Sequence, residues 1–147
     1  MQILRMAYTP TDRLATRGWP HNATCALCRQ TMETVLHLID DCHFTRRIWD
    51  HMALWVQETL LKPSNWKFVN TALEWWINIT TIAGTPRKAI RSLALLIMWV
   101  LWNERNARIF NRKESSFISV MARLIKEDVS AWIAAGARPL AALIVRD

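Results

Sequence analysis

The residues best suited to chemistry are three cysteines and one histidine in the first third of the chain. Cys25, Cys28 and Cys42 are the only cysteines, and His37 lies before the last of them, giving the spacing C-x2-C-x8-H-x4-C. A Cys-x-x-Cys turn directs two sulfurs at one ion, and a third thiolate with an imidazole completes a tetrahedron. The spacing therefore predicts one structural Zn²⁺ held by all four residues, with no open position for a catalytic water.

Other interpretations of the same residues stay open. His21 and His43 are alternative fourth ligands, although His43 adjoins Cys42 and cannot easily turn toward the same ion. The plainest alternative is three buried, reduced cysteines beside an unrelated histidine. An odd number of cysteines argues against a disulfide framework. A thioredoxin-like pair would follow a β-strand, whereas residues 19–22 read Trp-Pro-His-Asn.

Short helical segments are expected to position these ligands. Thr31 is a candidate cap for a helix over residues 33–37, which would turn His37 toward the cysteine turn. A second helix should follow Cys42, since apolar residues recur there at helical spacing. The expected outcome is a small lobe made of a Cys-x-x-Cys turn and a helix, stapled by the metal.

The rest of the chain also predicts helices. A third should begin near Trp66 and end near Gly84, a fourth should run from Pro86 to about Asn111, and a fifth from Ser115 or Ser116 to Gly136. The tail, residues 139–147, is compatible with a strand or a helical turn. Residues 93–102 are apolar all round, so the fourth helix is either central to the fold or covered by a partner.

Length and composition agree with a mainly α fold. The chain has 147 residues, 52% of them hydrophobic, with nine Trp and only three Gly, which suits a helical core better than a multi-stranded sheet. We expect a zinc-binding module over residues 1–60 and a four-helix, Trp-rich region over residues 61–147 packed on it, the two together forming one domain or two. The Trp residues are interpreted as core.

Positive charge is concentrated in one segment. Residues 83–113 contain seven basic side chains and one acidic one, and so carry most of the net charge of +7. At about 100° per residue, five of the arginines fall within a sector of roughly 100° on the fourth helix, in two groups about 21 Å apart. This sector is a candidate nucleic-acid surface, although a solvated face that complements the helix dipole is an equal alternative. The candidate residues are Arg87, Lys88, Arg91, Arg105, Arg108, Arg112 and Lys113.

No targeting or membrane-spanning segment is evident. Residues 1–10 lack the continuous apolar stretch and cleavage site of a secretory signal. The longest uncharged apolar run, residues 92–103, is shorter than the roughly 20 residues that a transmembrane helix needs. We therefore expect an intracellular protein that is neither secreted nor bound to a membrane, with the nucleus as one location to consider.

A wider set of motifs carries a family resemblance. The string Asp12-Arg13-Leu14 to Arg17-Gly18, the four metal positions, and the residues Glu33-Thr34, Leu38, Phe44 and Trp49 resemble the zinc-binding domain that follows the polymerase in plant non-LTR (LINE-type) retrotransposon reverse transcriptases. Residues 101–110, Leu-Trp-Asn-Glu-Arg-Asn-Ala-Arg-Ile-Phe, are similar to the W-x-E-R-N-x-R-x-F segment that often follows this domain. The family's ligands correspond one by one to Cys25, Cys28, His37 and Cys42.

The resemblance implies an accessory role without catalysis. Nothing here resembles the polymerase, its Tyr-x-Asp-Asp setting, a phosphate-binding glycine loop, or an H-E-x-x-H motif. The first hypothesis is a zinc-binding module of a retrotransposon-derived reverse transcriptase that helps bind RNA or DNA. The second is a zinc-stabilised helical domain that docks on the polymerase or on another copy of itself. A retroelement relic without a selected function is the third.

Overall fold

The computed structural model describes residues 24–144, and this part of the chain is mainly α-helical, as predicted. Its only β-type pairing is an isolated bridge between Thr24 and Met32. A π-helical turn, His37–Asp41, leads into the first of six α-helices. The six are α1 His43–Trp55, α2 Ala72–Thr80, α3 Arg87–Phe110, α4 Phe117–Arg123, α5 Val129–Ala134 and α6 Ala141–Ile144.

Helix α3 is the centre of the fold. Its apolar middle is buried by the other elements of this chain: Ile90, Leu93 and Ile97 have no exposed surface. An α-helix of 24 residues is about 36 Å long, so α3 can contact most of the other elements. Of the two sequence-based alternatives for this helix, a central position is the correct one.

Three tryptophans join α1 to α2. Trp49 of α1 meets Trp66 and Trp75 edge to face, with ring centroids 5.7 and 5.8 Å apart, and the latter two rings are 5.5 Å from each other. Edge-to-face pairs at such distances are favourable beyond the apolar area that they bury. This cluster confirms the core interpretation for these three tryptophans.

The third predicted helix begins later than expected. Short 3-10 turns occupy Thr59–Leu61 and Pro63–Asn65, and α2 begins only at Ala72. Thr71 caps it, accepting a hydrogen bond from the Glu74 amide, while the Glu74 carboxylate accepts one from the Asn70 amide. These two bonds fix the start of the helix, and Trp66 therefore lies in the preceding loop.

The helix boundaries after α2 agree closely with those predicted from the sequence. Helix α3 ends at Phe110, and Ser116 caps α4 by accepting a hydrogen bond from the Ser119 amide. A π-helical turn, Leu124–Asp128, joins α4 to α5, and together they form the predicted fifth helix. The tail forms helical turns up to residue 144 and buries Leu140 and Leu143. No helix within residues 24–144 has the length and apolarity needed to cross a membrane.

Candidate metal centre

The structure brings together the four side chains that the spacing selected. The ligand atoms of Cys25, Cys28, His37 and Cys42 all lie within 4.8 Å of one another. The Cys25 and Cys42 sulfurs are 3.9 Å apart, and the Cys28 sulfur is 3.2 Å from His37 Nε2. Tetrahedral zinc with Zn–S bonds of about 2.3 Å has sulfur–sulfur edges of about 3.8 Å. The separation of the Cys25 and Cys42 sulfurs therefore matches one edge of such a site, and the other ligand atoms are close enough to share one ion.

The turn between the first two cysteines is closed by backbone hydrogen bonds. The Arg29 amide donates to the Cys25 carbonyl, and the Cys25 amide donates to the Thr31 carbonyl, both at 2.8 Å. Arg29 has a φ of 57°, which lets the chain reverse direction directly after Cys28. This loop directs both sulfurs to the same side.

His37 is positioned by a helix that begins at a different residue from the one expected. The Thr34 hydroxyl, not that of Thr31, accepts the hydrogen bond from the His37 amide at 3.0 Å. The predicted cap is therefore wrong by one turn, since both threonines precede the helix and spacing alone cannot separate them. Thr31 lies beside the metal cluster instead, with its hydroxyl 3.1 Å from His37 Nε2 and 3.8 Å from the Cys28 sulfur.

The two ring nitrogens of His37 face different groups, although the Thr31 hydroxyl lies near both, 3.1 Å from Nε2 and 3.3 Å from Nδ1. Nε2 faces the Cys28 sulfur, whereas Nδ1 lies 3.4 Å from a carboxylate oxygen of Asp41. A metal-bound histidine commonly donates its other N–H to a carboxylate, which fixes the ring and its tautomer. The arrangement suits Nε2 as the metal ligand, with Nδ1–H available to Asp41 or Thr31.

Cys42, the last of the four ligands in the sequence, lies at the start of helix α1. Cys42 is its N-cap, and its amide donates to the His37 carbonyl at 2.7 Å. The buried Thr45 hydroxyl donates to the Leu38 carbonyl at 2.6 Å. These bonds tie the π-helical turn that carries His37 to α1. His37 and Cys42 are thereby held in a fixed position relative to each other.

The buried contact between Cys25 and Cys42 shifts the pKa values of the two thiols in opposite directions. The Cys42 thiol, and then burial, raise the pKa of Cys25 to about 12. The same contact lowers the pKa of Cys42 against the effect of burial, and the nearby Thr45 and Phe44 amides lower it further. Amides at a helix N-terminus favour a thiolate because they present positive partial charge.

Cys28 and His37 form a similar pair. Burial raises the pKa of Cys28, but the Gln30 amide and the His37 side chain outweigh it, and the pKa is lowered. For His37, the contact with Cys25 raises the pKa, burial opposes it, and the value reaches about 9. The lowered pKa values of Cys28 and Cys42 favour thiolates at this point, and a divalent cation binds there by replacing the protons of the ligands.

The donor set and its burial define the class of site. Three sulfurs and one imidazole form a closed Cys3His set, which suits zinc in a structural rather than an open catalytic role. Cys25 and Cys42 have no exposed surface. The residues present fit one structural Zn²⁺, which when bound supplies a rigid four-way link between the cysteine turn, the π-helical turn and α1.

Comparison with known families also indicates a zinc-binding region. Residues 2–49 match the family described as zinc-binding in reverse transcriptase, a region of about a third of the chain that includes all four ligands. No curated protein and no solved structure matches the chain significantly. The region that carries the metal cluster is therefore similar to the zinc-binding domain of reverse transcriptases.

The alternative ligands take no part in the described cluster. His43 follows Cys42 but is exposed, and its side chain is not among those gathered at the site. His21 lies outside the described residues, as do the Asp12-Arg13-Leu14 and Arg17-Gly18 motifs. All three cysteines that the structure describes are free, without a disulfide.

Two of the predicted nucleic-acid residues are inside the protein. Arg105 is 1% exposed and forms a two-point ion pair with Glu33, at 3.0 and 2.8 Å. The Arg108 side chain is 7% exposed and pairs with Glu104 at 2.8 Å. Their predicted place on an exposed sector is wrong. Arg105 pairs with Glu33, 72 positions away, which helical periodicity does not reveal, and Arg108 pairs with the buried Glu104 one turn before it. The other five candidates are exposed: Arg87, Lys88, Arg91, Arg112 and Lys113.

Arg108 also reaches the cysteine turn itself. Its Nη1 donates to the carbonyls of Ala26 and Leu27, at 3.0 and 3.2 Å, and its Nη2 donates to the Ser115 carbonyl at 3.1 Å. The sequence did not predict these contacts, because Arg108 lies 82 positions after Ala26 and 81 after Leu27. The only hint was that the segment containing Arg108 resembles one that often follows such zinc domains.

Proposed function

We propose that this chain is a non-catalytic accessory module of a retrotransposon-derived reverse transcriptase protein, in which zinc fixes the fold and exposed basic residues help bind RNA or DNA. The carrying observation is the Cys3His cluster within the region that matches the reverse-transcriptase zinc-binding family. A closed ligand set gives the metal a structural role, which supports a module that binds rather than catalyses.

The exposed members of the predicted basic set lie at the two ends of helix α3. Arg87, Lys88 and Arg91 occupy its first turns, and Arg112 and Lys113 follow its last residue. Each group can neutralise phosphates, whereas the buried middle of the helix cannot. A nucleic acid that contacts both groups must follow a path of about 30 Å or more along α3.

A salt titration tests this role. Binding of a single-stranded RNA to the zinc-loaded protein should weaken steeply as salt rises, because phosphate contacts release counterions. The triple variant Arg87→Ala, Lys88→Ala, Arg91→Ala should bind more weakly and with a shallower salt dependence. A matched variant that removes acidic charge, Asp50→Asn, should not weaken binding. An absence of binding at low salt would refute the nucleic-acid role.

A docking function is the second candidate, supported by a different observation. Leu73 and Ile77 lie one turn apart on α2, 63% and 48% exposed, and Phe68 just before them is 89% exposed. Apolar groups grouped in this way often mark interaction sites. Light scattering on the wild type and on Leu73→Ser with Ile77→Ser distinguishes the cases: association that the substitutions abolish supports docking, and a monomer in both refutes self-association.

A further inference from the structure

We infer that Arg108, supported by Arg105, is a positioning residue for zinc, so that the metal-binding unit extends beyond the matched region to residues 104–115. This inference concerns the chain's own residues and does not depend on nucleic-acid binding. It rests on the buried ion pair between Arg105 and Glu33 and on hydrogen bonds from Arg108 to the cysteine turn, which connect both sides of the metal cluster to the last turns of α3.

The first connection holds the turn between Cys25 and Cys28. The carbonyls of Ala26 and Leu27, the two residues between these ligands, both accept from Arg108 Nη1. Fixing those carbonyls fixes the orientation of the peptide groups between the two sulfurs. Arg108 is itself held by the Glu104 carboxylate, which also accepts from the Ser115 amide at 2.9 Å.

The second connection holds the segment that leads to His37. Glu33 precedes the Thr34 cap and receives two parallel hydrogen bonds from Arg105. Paired bonds between a guanidinium and a carboxylate set direction as well as distance. Arg105 Nη1 further donates to Asn106 at 2.8 Å. The entry to the histidine helix is therefore fixed to α3.

Both connections reach the cluster from outside its ligands. Residues that orient ligands typically change metal affinity by about 10- to 100-fold when replaced. Here the orienting groups come from a helix that the chain reaches only after residue 86. The contacts predict that metal binding and order at the end of α3 depend on each other.

The test is zinc affinity of the full chain, measured by chelator competition, for Arg108→Lys. Lysine keeps the charge but loses the planar fork that reaches several acceptors at once. We expect affinity to fall by at least about tenfold, with an altered absorption spectrum of the cobalt-substituted protein. Leu143→Ala, which removes a buried side chain from α6, should lower stability without changing either. Unchanged affinity and spectrum in Arg108→Lys would overturn the inference.

A measurement on the wild-type chain covers the case in which Arg108→Lys does not fold. Hydrogen exchange with and without a zinc chelator should show faster exchange at residues 104–115 as well as at residues 25–42. The first turns of the same helix, residues 89–94, should change less. Faster exchange confined to residues 25–42 would overturn the inference, whatever the outcome of the RNA titration.

Discussion

Glu33 and Arg105 form a two-point ion pair inside the protein, although 72 positions separate them in the sequence. The Glu33 carboxylate accepts from Nε and Nη2 of Arg105 at 3.0 and 2.8 Å. Their side chains are 0% and 1% exposed. The Arg105 guanidinium also lies 4.9 Å from the Trp102 ring centroid, a cation–π distance. This pair joins the zinc-binding region to the central helix.

Removal of one member of the Glu33–Arg105 pair should lower the free energy of unfolding more than removal of both. Glu33→Ala leaves the Arg105 guanidinium buried without its carboxylate, and such a change typically costs about 3–5 kcal/mol. The double variant Glu33→Met with Arg105→Met leaves no unpaired charge and should recover much of that loss. Urea denaturation of the zinc-saturated proteins measures both free energies of unfolding.

The matched control for this pair is an exposed carboxylate. Asp50→Asn on helix α1 should change the free energy of unfolding by no more than about 0.5 kcal/mol. A Glu33→Ala variant as stable as Asp50→Asn would contradict the prediction. So would a double variant that is less stable than Glu33→Ala alone.

The choice of histidine ligand can be tested with two neighbouring residues. His37→Asn should lose most of the bound zinc, since Nε2 of His37 lies among the three sulfurs. His43→Asn should keep one zinc per chain, because His43 is exposed and outside the cluster. Elemental analysis of proteins purified without chelator gives the zinc content directly.

Replacement of a cysteine ligand should also remove the bound zinc. Cys25→Ser and Cys42→Ser should each lose zinc, because the two sulfurs form one edge of the tetrahedron at 3.9 Å. A wild-type protein with no zinc would refute the metal site. Zinc retained by His37→Asn and lost from His43→Asn would instead reverse the assignment of the fourth ligand.

Local patterns predicted the metal ligands and the boundaries of α3 and of the α4–α5 segment, and failed where contacts between distant residues determine the structure. Cys25 and Cys28 could be paired with His37 because spacing and tetrahedral geometry are local. The burial of Arg105 depends on Glu33, which helical periodicity cannot bring to its side. The start of α2 depends on the cap at Thr71, which overrides the apolar pattern that begins at Trp66.

The aromatic cluster should dominate stability on the α2 side. Trp49→Ala removes a side chain that is 1% exposed and contacts Trp66 and Trp75, so a loss of about 3–5 kcal/mol is expected. Phe68→Ala removes an aromatic side chain that is 89% exposed and should cost about 0.5 kcal/mol or less. Thermal or urea unfolding compares the two. Equal losses would show that Trp49 is not a core residue.

The division of the arginines into buried and exposed groups can be measured on the native protein. An arginine-selective dicarbonyl reagent needs an accessible guanidinium, so mass spectrometry should find Arg87, Arg91 and Arg112 modified first. Arg105 and Arg108 should react slowly, since both are buried and paired with carboxylates. Urea-unfolded protein is the control and should show all five reacting at similar rates. Rapid native modification of Arg105 would mean that it is free to contact phosphates after all.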